Sequence, residues 1–163
     1  MSPGPTSSQP SGLDDAGPDD LVDLYRERYE PLVQVAAMML GSRAEAEEVV
    51  HEAFTAVQRR WGAVAHPAAY LRRSVVNGAT SVLRRRQTAA TYRVDPPAPE
   101  APSQLVEFRD VLLRLPYRQR AVLVLRYVDD RDDEEIGEIL GCRRATVRSL
   151  AARGLATIRK ELM

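Results

Sequence analysis

The sequence is poor in the residues that build metal sites and disulfides, with one cysteine and two histidines. The lone thiol, Cys142, excludes an internal disulfide and any zinc site that needs several cysteines. His51 and His66 lie in different predicted elements and lack the spacing of metal ligands. We therefore expect neither a metal nor a cofactor.

The sequence also lacks a long apolar run and a net charge. No stretch reaches the roughly 20 apolar residues of a membrane-spanning helix, and the N-terminus lacks the pattern of a secretion signal, which predicts a cytoplasmic protein. Because 23 basic and 23 acidic residues cancel, only their distribution is informative. Residues 61–93 hold six arginines and no acid, whereas residues 129–138 hold seven acids and one arginine.

Residues 132–160 have the pattern of a helix-turn-helix, two helices joined by a tight turn. Asp132 and Glu135 have the spacing of a capping box, in which each side chain accepts a hydrogen bond from an unpaired amide at the helix start. Gly141 supplies the left-handed conformation with which many helices end. The turn after it is short, so a second helix follows closely.

The second helix has a small, basic outer face. Its apolar residues have the spacing of one buried stripe: Val147, Leu150, Ala151, Gly154, Leu155, Ile158 and Leu162. The opposite face is centred on small residues with arginines beside them: Ala145, Ser149, Ala152 and Ala156, flanked by Thr146, Arg148 and Arg153. Residues 143–160 hold six basic side chains and no acid. A solvated surface helix is the alternative, but the capped helix and glycine turn favour insertion into the major groove of DNA.

The N-terminal residues divide into a tail and a helix. Residues 1–18 are rich in Pro, Ser and Gly and have almost nothing to bury, which predicts a disordered tail. A helical period then begins at Asp19 or Asp20 and runs to Leu40. Pro31 is a predicted kink or break within it.

The next helix along the chain is predicted to begin at a capping box formed by Ser42 and Glu45. Its inner face is apolar: Ala46, Val49, Val50, Ala53, Phe54, Val57 and Trp61. Its outer face is acidic: Glu45, Glu47, Glu48 and Glu52. These residues alone fit a solvated surface and a docking face for a basic partner equally well.

A third helix is predicted from Pro67 to about Arg86, with arginines on its outer side. Its outward residues are Arg72, Arg73, Asn77, Thr80, Ser81 and Arg84. Trp61 and Tyr70 flank the loop before it, where aromatic rings can stack on an unpaired base while arginines hold phosphates. The two rings can instead fill the core between helices, but the basic helix favours nucleic-acid binding.

A proline-rich segment divides the chain. Residues 94–104 contain four prolines and have no helical period, which predicts an extended linker. Two further helices, separated by Pro116, precede the helix-turn-helix. We therefore predict an all-α fold of two small helical domains, residues 19–93 and 105–163.

With these elements in place, the chain resembles the extracytoplasmic-function (ECF) sigma factors, the smallest members of the sigma-70 family of bacterial RNA polymerase. In the N-terminal half, SRAEAEEVVHEAFTAVQRRW and HPAAYLRRSVVNGATSVLRRR look like sigma region 2. In the C-terminal half, LLRLPYRQRAVLVLRYVDDRDDEEIGEILGCRRATVRSLAARGLATIRKEL looks like region 4. The ending VRSLAARGLATIR is similar to the actinobacterial SigE-family subgroup.

The resemblance implies binding to core RNA polymerase and to promoter DNA. Region 2 would dock on the β′ clamp helices and open the −10 element, and region 4 would bind the β flap and the −35 element. The matching polymerase-binding positions are Glu47, Glu48, Val50, Glu52 and Phe54. Those for the −10 element are Trp61, Tyr70, Arg73, Asn77, Arg84 and Arg85, and those for the −35 element are Arg144, Thr146, Arg148, Ser149 and Arg153. An anti-sigma factor commonly holds such proteins inactive, although nothing in the sequence identifies one.

Three positions depart from the family pattern. His51 replaces a common glutamine, Arg143 a usual helix-capping serine, and Asp130 a frequent glycine. These departures affect which promoter sequence and which turn geometry we expect, but they do not affect the class of protein.

Two other functions fit parts of the sequence. A helix-turn-helix regulator acting without polymerase would leave the acidic and basic helices of the N-terminal half without a role. An enzyme would use the carboxylates between Asp129 and Glu135 as metal-binding or acid–base groups, but acids at a helix start are better explained by capping and the helix dipole. We therefore expect a non-enzymatic promoter-recognition factor associated with the nucleoid.

Overall fold

The computed structural model describes residues 18–88 and 103–163, which form seven α-helices and no β-strand. The helices are α1 (Pro18–Leu40), α2 (Arg43–Arg59), α3 (Pro67–Thr88), α4 (Ser103–Arg114), α5 (Tyr117–Tyr127), α6 (Asp133–Leu140) and α7 (Arg144–Leu162). The predicted all-α class is confirmed. Most of the expected tail and most of the expected linker lie outside the described residues. Pro18, the last residue of the predicted tail, begins α1, and Ser103 and Gln104, which we placed in the linker, begin α4. No helix in the two described ranges is long and apolar enough to cross a membrane.

Helices α1, α2 and α3 pack against one another and form the N-terminal unit. The predicted inner face of α2 is confirmed, because all its helical members are buried and Trp61, which follows the helix, is half-buried. α1 continues through Pro31, so the predicted break does not occur. Pro31 lies on the exposed side of α1, where water can satisfy the carbonyl that a proline leaves unpaired.

Helices α4 to α7 form the C-terminal unit, in which α7 packs against α4, α5 and α6. Both predicted N-caps are present: Ser42 Oγ accepts from the Glu45 amide at 3.2 Å, and Asp132 Oδ1 accepts from the Glu135 amide at 2.8 Å. Gly141 ends α6 in the left-handed region, with φ of 68°. α6 and α7 therefore form the predicted helix-turn-helix.

Two of the family departures leave a local conformational cost. Asp130 has φ of 53°, the left-handed region that glycine occupies without strain. Arg143 is the N-cap of α7, and its side chain makes no capping hydrogen bond. The turns on both sides of α6 thus contain residues that are poorly suited to their positions.

The two units pack on each other, with α1 and α3 of the N-terminal unit contacting α4, α5 and α6 of the C-terminal unit. Three guanidinium groups converge on the last carbonyls of α1. Arg120 donates to Met39 at 2.6 Å, Arg86 to Leu40 at 2.7 Å and Arg109 to Gly41 at 3.0 Å. α1 has no basic residue in its own last turn, so arginines from other helices supply the positive charge that its dipole favours there.

Arg120 is the most deeply enclosed of these arginines and is 5% exposed. Besides Met39, it donates to the carbonyls of Leu112, Leu113 and Leu115 at the end of α4. One guanidinium therefore joins the ends of two helices from different units. Its hydrogen bonds replace the water that a buried charge loses.

Candidate functional site

Because the apolar stripe of α7 packs against the core, the basic face of this helix points to solvent. Val147, Ala151, Gly154 and Ile158 are buried, and Leu150 and Leu155 are half-buried, as predicted. Leu162 is 40% exposed, so its predicted burial is wrong, because the last residue of α7 extends beyond the helices that cover the stripe. The small residues of the opposite face are all exposed: Ala145, Ser149, Ala152 and Ala156. A surface of the predicted composition is therefore open to solvent.

The arginines beside this face differ in their partners. Arg148 is exposed and reaches Asp133 of α6 at 3.5 Å, and Arg144 reaches Glu134 at 3.2 Å. Arg153 is exposed, and within the described parts of the chain it forms no ion pair. Thr146 is half-buried at the edge of the face. Arg144 and Arg148 thus face acids of α6.

Asp133 is the central acid of this arrangement. Its carboxylate accepts from Arg126 and also lies near Arg148. The hydrogen bond from Arg126 lowers the pKa of Asp133 below its ordinary value of 3.8. Asp133 is therefore an anion near neutral pH and holds an arginine of α5 and one of α7 together.

The outer side of α3 presents a second basic surface. Arg73, Asn77 and Arg84 are exposed, as predicted, and Arg85 is exposed as well. Thr80, which we placed outward, is buried, and its hydroxyl donates to the Asn77 carbonyl at 3.0 Å. The short polar side chain satisfies itself on its own helix and so tolerates the inner position.

Trp61 lies at the start of the loop between α2 and α3, and Tyr70 lies in the first turn of α3. Both rings are half-buried. One part of each ring packs against the core, and another part is open to solvent. The Arg60 guanidinium lies 5.9 Å from the centre of the Tyr70 ring, within cation–π range. Gly62 has φ of 89°, which makes the sharp turn after Trp61 possible.

The acidic face of α2 is divided between exposed and paired carboxylates. Glu48 and Glu52 are exposed. Glu47 is half-buried and accepts from Arg43 at 3.0 Å. Val50 and Phe54, which the resemblance matched to polymerase-binding positions, are buried at 0% and 7% exposure. They lie on the inner side of α2 and hold the glutamates in place rather than presenting a surface themselves.

An aromatic cluster that sequence reasoning missed lies beside this face. The rings of Tyr25 and Tyr29 stack with centroids 4.9 Å apart, and Tyr25 lies 5.0 Å from Phe54. The Tyr29 hydroxyl lies 3.4 Å from His51 Nε2. Burial and the nearby Glu47 raise the pKa of Tyr29. The i, i+4 spacing of the two tyrosines was the available signal, because such pairs meet on one helix face.

The C-terminal unit carries an apolar groove of ≈ 400 Å³ between α4, α5 and α7. Its lining includes Phe108, Leu112, Leu123, Tyr127, Leu155 and Ile158. Tyr127 is 61% exposed and the adjoining Val128 is 45% exposed. Exposed apolar surface of this kind is typical of a protein-binding groove.

A depression of ≈ 520 Å³ brings the two sets of DNA-binding candidates together. Its lining includes Arg73 of α3, Cys142 of the turn and Arg144 of α7. The Arg73 guanidinium also donates to the Glu138 carbonyl of α6. No pattern in the sequence indicates that these two arginines are neighbours.

The acidic segment, residues 129–135, is used in ion pairs. Asp129 pairs with Arg72 at 2.8 Å, and Glu135 pairs with Arg131 at 3.0 Å. In residues 18–88 and 103–163, no group of three or more His, Cys, Asp or Glu side chains is placed to hold a metal ion. The arrangement of these acids thus fits contacts with arginines.

The chain matches two models of one protein family, each on a different unit. Residues 24–89 match the model described as Sigma-70 region 2, and residues 105–158 match the model described as Sigma-70, region 4. The two matches together cover most of the chain, in the order that the resemblance predicted.

Individual relatives agree with these matches. The chain is 29% identical over 150 residues to the RNA polymerase sigma-E factor of Streptomyces coelicolor, covering 86% of this chain and 85% of that protein. It is 28% identical over 172 residues to the ECF RNA polymerase sigma factor SigW of Bacillus subtilis, covering 88% and 87%. A solved structure of the sigma factor RpoE in complex with the anti-sigma factor NepR, from Bartonella quintana, has the same fold, with a TM-score of 0.70 at 19% identity over 88% of this chain and 94% of that chain.

Proposed function

The chain belongs to the sigma-70 family as an ECF sigma factor, and from the exposed faces described above we propose which residues contact polymerase and promoter. It binds core RNA polymerase and directs promoter recognition and transcription initiation. We assign residues 19–93 to sigma region 2, residues 94–104 to the linker, whose last two residues also begin α4, and residues 105–163 to region 4. Polymerase supplies the chemistry, and this chain supplies specificity without catalysis of its own.

Recognition of the −35 element is assigned to α7. Its exposed small residues allow close approach to the major groove, and Arg148 and Arg153 at its edges are placed to reach guanine edges or phosphates. Thr146 and Ser149 lie on the side of the helix that Arg153 flanks, and Arg144, in the first turn, lies on the side of Arg148. The exposed, basic, small-residue face of α7 is the observation that carries the DNA-binding proposal.

Recognition of the −10 element is assigned to α3 and the loop before it. Arg73, Asn77, Arg84 and Arg85 form the exposed basic side of α3. Trp61 and Tyr70 offer partly exposed rings at which an unstacked base can be held, and each such stack contributes roughly 1–3 kcal/mol. Promoter opening would then be driven by capture of separated bases.

Two surfaces are assigned to polymerase. The first is the outer face of α2, where Glu47, Glu48 and Glu52 suit a basic partner such as the β′ clamp helices. The second is the apolar groove between α4, α5 and α7, whose shape and lining suit an apolar helix such as that of the β flap. Each surface is small, so simultaneous docking on one enzyme supplies the affinity.

The location follows from the partners. Because polymerase and its template are in the nucleoid, we place this protein in the cytoplasm, associated with the nucleoid when bound to polymerase. We also propose an anti-sigma factor as a further partner, since the sigma factor RpoE of Bartonella quintana forms a complex with the anti-sigma factor NepR.

Purified core polymerase separates the proposed function from that of a helix-turn-helix regulator. We expect the protein to co-elute with core enzyme and to start transcripts at defined positions on genomic DNA in a system without another sigma factor. Core enzyme alone is the control. A protein that binds DNA but neither joins polymerase nor starts transcripts would be a regulator, and the assignment would be wrong.

A further inference from the structure

Arg144 and Arg148 lie one turn apart on α7, but they present different atoms to the acids of α6. Nε of Arg148 lies 3.5 Å from Oδ2 of Asp133. Arg144 instead uses a terminal nitrogen, Nη2, which donates to Glu134 at 3.2 Å. A guanidinium carries one N–H on Nε and four on its two terminal nitrogens, all in one plane. The pairing with Asp133 therefore leaves both terminal nitrogens of Arg148 available, whereas Arg144 has one of them engaged.

The available end of Arg148 matches the edge of a guanine base. Guanine presents two acceptors in the major groove, N7 and O6, and an arginine that donates to both is the commonest specific contact between protein and DNA. The side chain of Arg148 is 67% exposed. It flanks the small residues Ala145, Ser149 and Ala152, which allow α7 to approach the base pairs closely. Arg148 can thus stay paired with Asp133 through Nε while its terminal nitrogens contact a guanine.

Asp133 is itself held in place. Its Oδ1 accepts a hydrogen bond from Arg126 of α5, and its Oδ2 faces Arg148 of α7. The side chains of Asp133 and Arg126 are only 22% and 25% exposed. Asp133 is also the first residue of α6, where the helix dipole favours a carboxylate. A carboxylate fixed in this way restricts the rotamers of Arg148 before DNA binds, which reduces the entropy that binding would otherwise cost.

On the basis of the proposed function, we propose that Asp133 is a positioning residue for promoter specificity, which orients Arg148 to recognise one guanine of the −35 element. Asp133 acts through Arg148 and does not contact DNA itself. Its negative charge repels DNA phosphates, so it lowers affinity for DNA of any sequence while it raises discrimination at one base pair. A residue that only stabilised the fold would not have these two opposite effects.

Side-chain mobility in the unaltered protein tests the orientation of Arg148 without any change to the fold. NMR relaxation of the arginine Nε–H groups gives an order parameter for each side chain. We expect a higher value for Arg148 than for Arg153, which is exposed on the other side of the same helix. Arg148→Lys and Arg153→Lys identify the two signals. Equal order parameters would overturn the proposal, because Asp133 would then not restrict Arg148.

A promoter library with a randomised −35 element measures specificity in the reconstituted holoenzyme. For the unaltered protein we expect a preference for guanine at one position, which Arg148→Ala abolishes. Asp133→Asn should lower this preference about tenfold, which is the discrimination that one bidentate contact supplies. In the Arg148→Ala background the same change should have no further effect on this position. A guanine preference that Asp133→Asn leaves intact would overturn the proposal.

Binding to a duplex of mixed sequence separates positioning from charge. Asp133→Asn should bind this duplex more tightly at low salt, because one charge that repels phosphates is gone. Glu138→Gln removes the same charge from an exposed position of the same helix and is the matched control. It should keep the guanine preference. Loss of the preference in both variants, or weaker binding of the duplex by Asp133→Asn, would contradict the proposal.

The library also distinguishes this inference from the proposed function. If transcripts start at defined promoters but no guanine preference depends on Asp133, the positioning role is wrong and the sigma-factor function stands. If the unaltered protein neither binds core polymerase nor starts transcripts, the proposed function itself fails. The order parameters of Arg148 and Arg153 remain a separate test of the orientation in that case.

Discussion

The guanidinium of Arg120 donates a 2.6 Å hydrogen bond to the carbonyl of Met39, which joins α5 of the C-terminal unit to the end of α1 in the N-terminal unit. The same side chain donates to three carbonyls at the end of α4. Arg120 thus joins α5 to the end of α4 within the C-terminal unit and also joins this unit to the N-terminal unit.

Arg120→Met should destabilise the protein by about 3 kcal/mol or more, because it leaves four carbonyls without their buried donor. Chemical denaturation measures the effect. Arg118→Met, which changes an exposed arginine on the same helix, is the matched control and should alter stability by less than about 0.5 kcal/mol. Equal losses in the two variants would show that the buried hydrogen bonds contribute little.

Arg148→Ala and Arg153→Ala should each lower transcription from promoters that depend on the −35 element by about tenfold, the effect of losing one good base or phosphate contact. Binding to core polymerase should be unchanged, because α7 presents these side chains to solvent. Run-off transcription and co-elution measure the two properties, with Arg118→Ala as the control. Full activity of both variants would remove α7 from promoter recognition.

Glu48→Arg combined with Glu52→Arg should weaken binding to core polymerase by about tenfold or more, through repulsion of a basic partner. The two carboxylates are exposed, so their reversal leaves the core of the fold intact. Competition with another sigma factor for core enzyme measures the loss. Asp23→Arg with Glu27→Arg makes the same charge change at the same i, i+4 spacing on α1 and serves as the control. If the two double variants weaken binding to core polymerase equally, the change in net charge causes the loss, and the face of α2 does not.

Three helix ends were predictable from the sequence because they depend on neighbouring residues. Ser42, Asp132 and Gly141 occupy the caps that their spacing predicted. The exposed face of α7 was predictable for the same reason, since a helical period is local. Which residues of these faces touch DNA or polymerase stays a prediction.

The contacts between the units could not be predicted, since they join residues far apart in the sequence. Arg72 and Asp129 are 57 residues apart, and each by itself fits a solvated surface. Arg120 lies in a sequence, YRQRAVLVLRY, whose arginines look alike, yet it is buried while Arg118 is exposed. The packing of α4 and α1 around α5 distinguishes them.

Changing two capping residues should shift stability in opposite directions. Ser42→Ala removes the hydroxyl that accepts from the Glu45 amide and should cost about 1 kcal/mol. Arg143→Ser supplies a capping hydroxyl where the present side chain makes no such bond and should add about 1 kcal/mol. Thermal denaturation measures both. A loss of stability in Arg143→Ser would mean that the arginine makes a larger contribution elsewhere in the turn.

Asp133 should make the C-terminal unit sensitive to acid. Because its pKa is lowered in the folded protein, its contribution to stability is present above the ordinary aspartate value of 3.8 and is lost as pH falls through the lower folded value. Asp133→Asn should therefore be less stable than the unchanged protein at pH 7, and the difference should shrink below about pH 4. Urea denaturation across this range measures it. Arg126→Gln, which removes the partner, should show the same dependence, and a constant difference would contradict the ion pair.

The acceptors that hold the two units together at the end of α1 are main-chain carbonyls, those of Met39 and Gly41. A main-chain oxygen exists whatever side chain the residue carries. Shuffling experiments that fuse the first three helices of one relative to the last four of another should therefore keep this attachment, provided that the donor half contributes Arg109 and Arg120. The N-terminal unit contributes only main-chain acceptors to this attachment, whereas the C-terminal unit contributes two specific arginines. Such hybrids are therefore a practical source of sigma factors with exchanged promoter preferences.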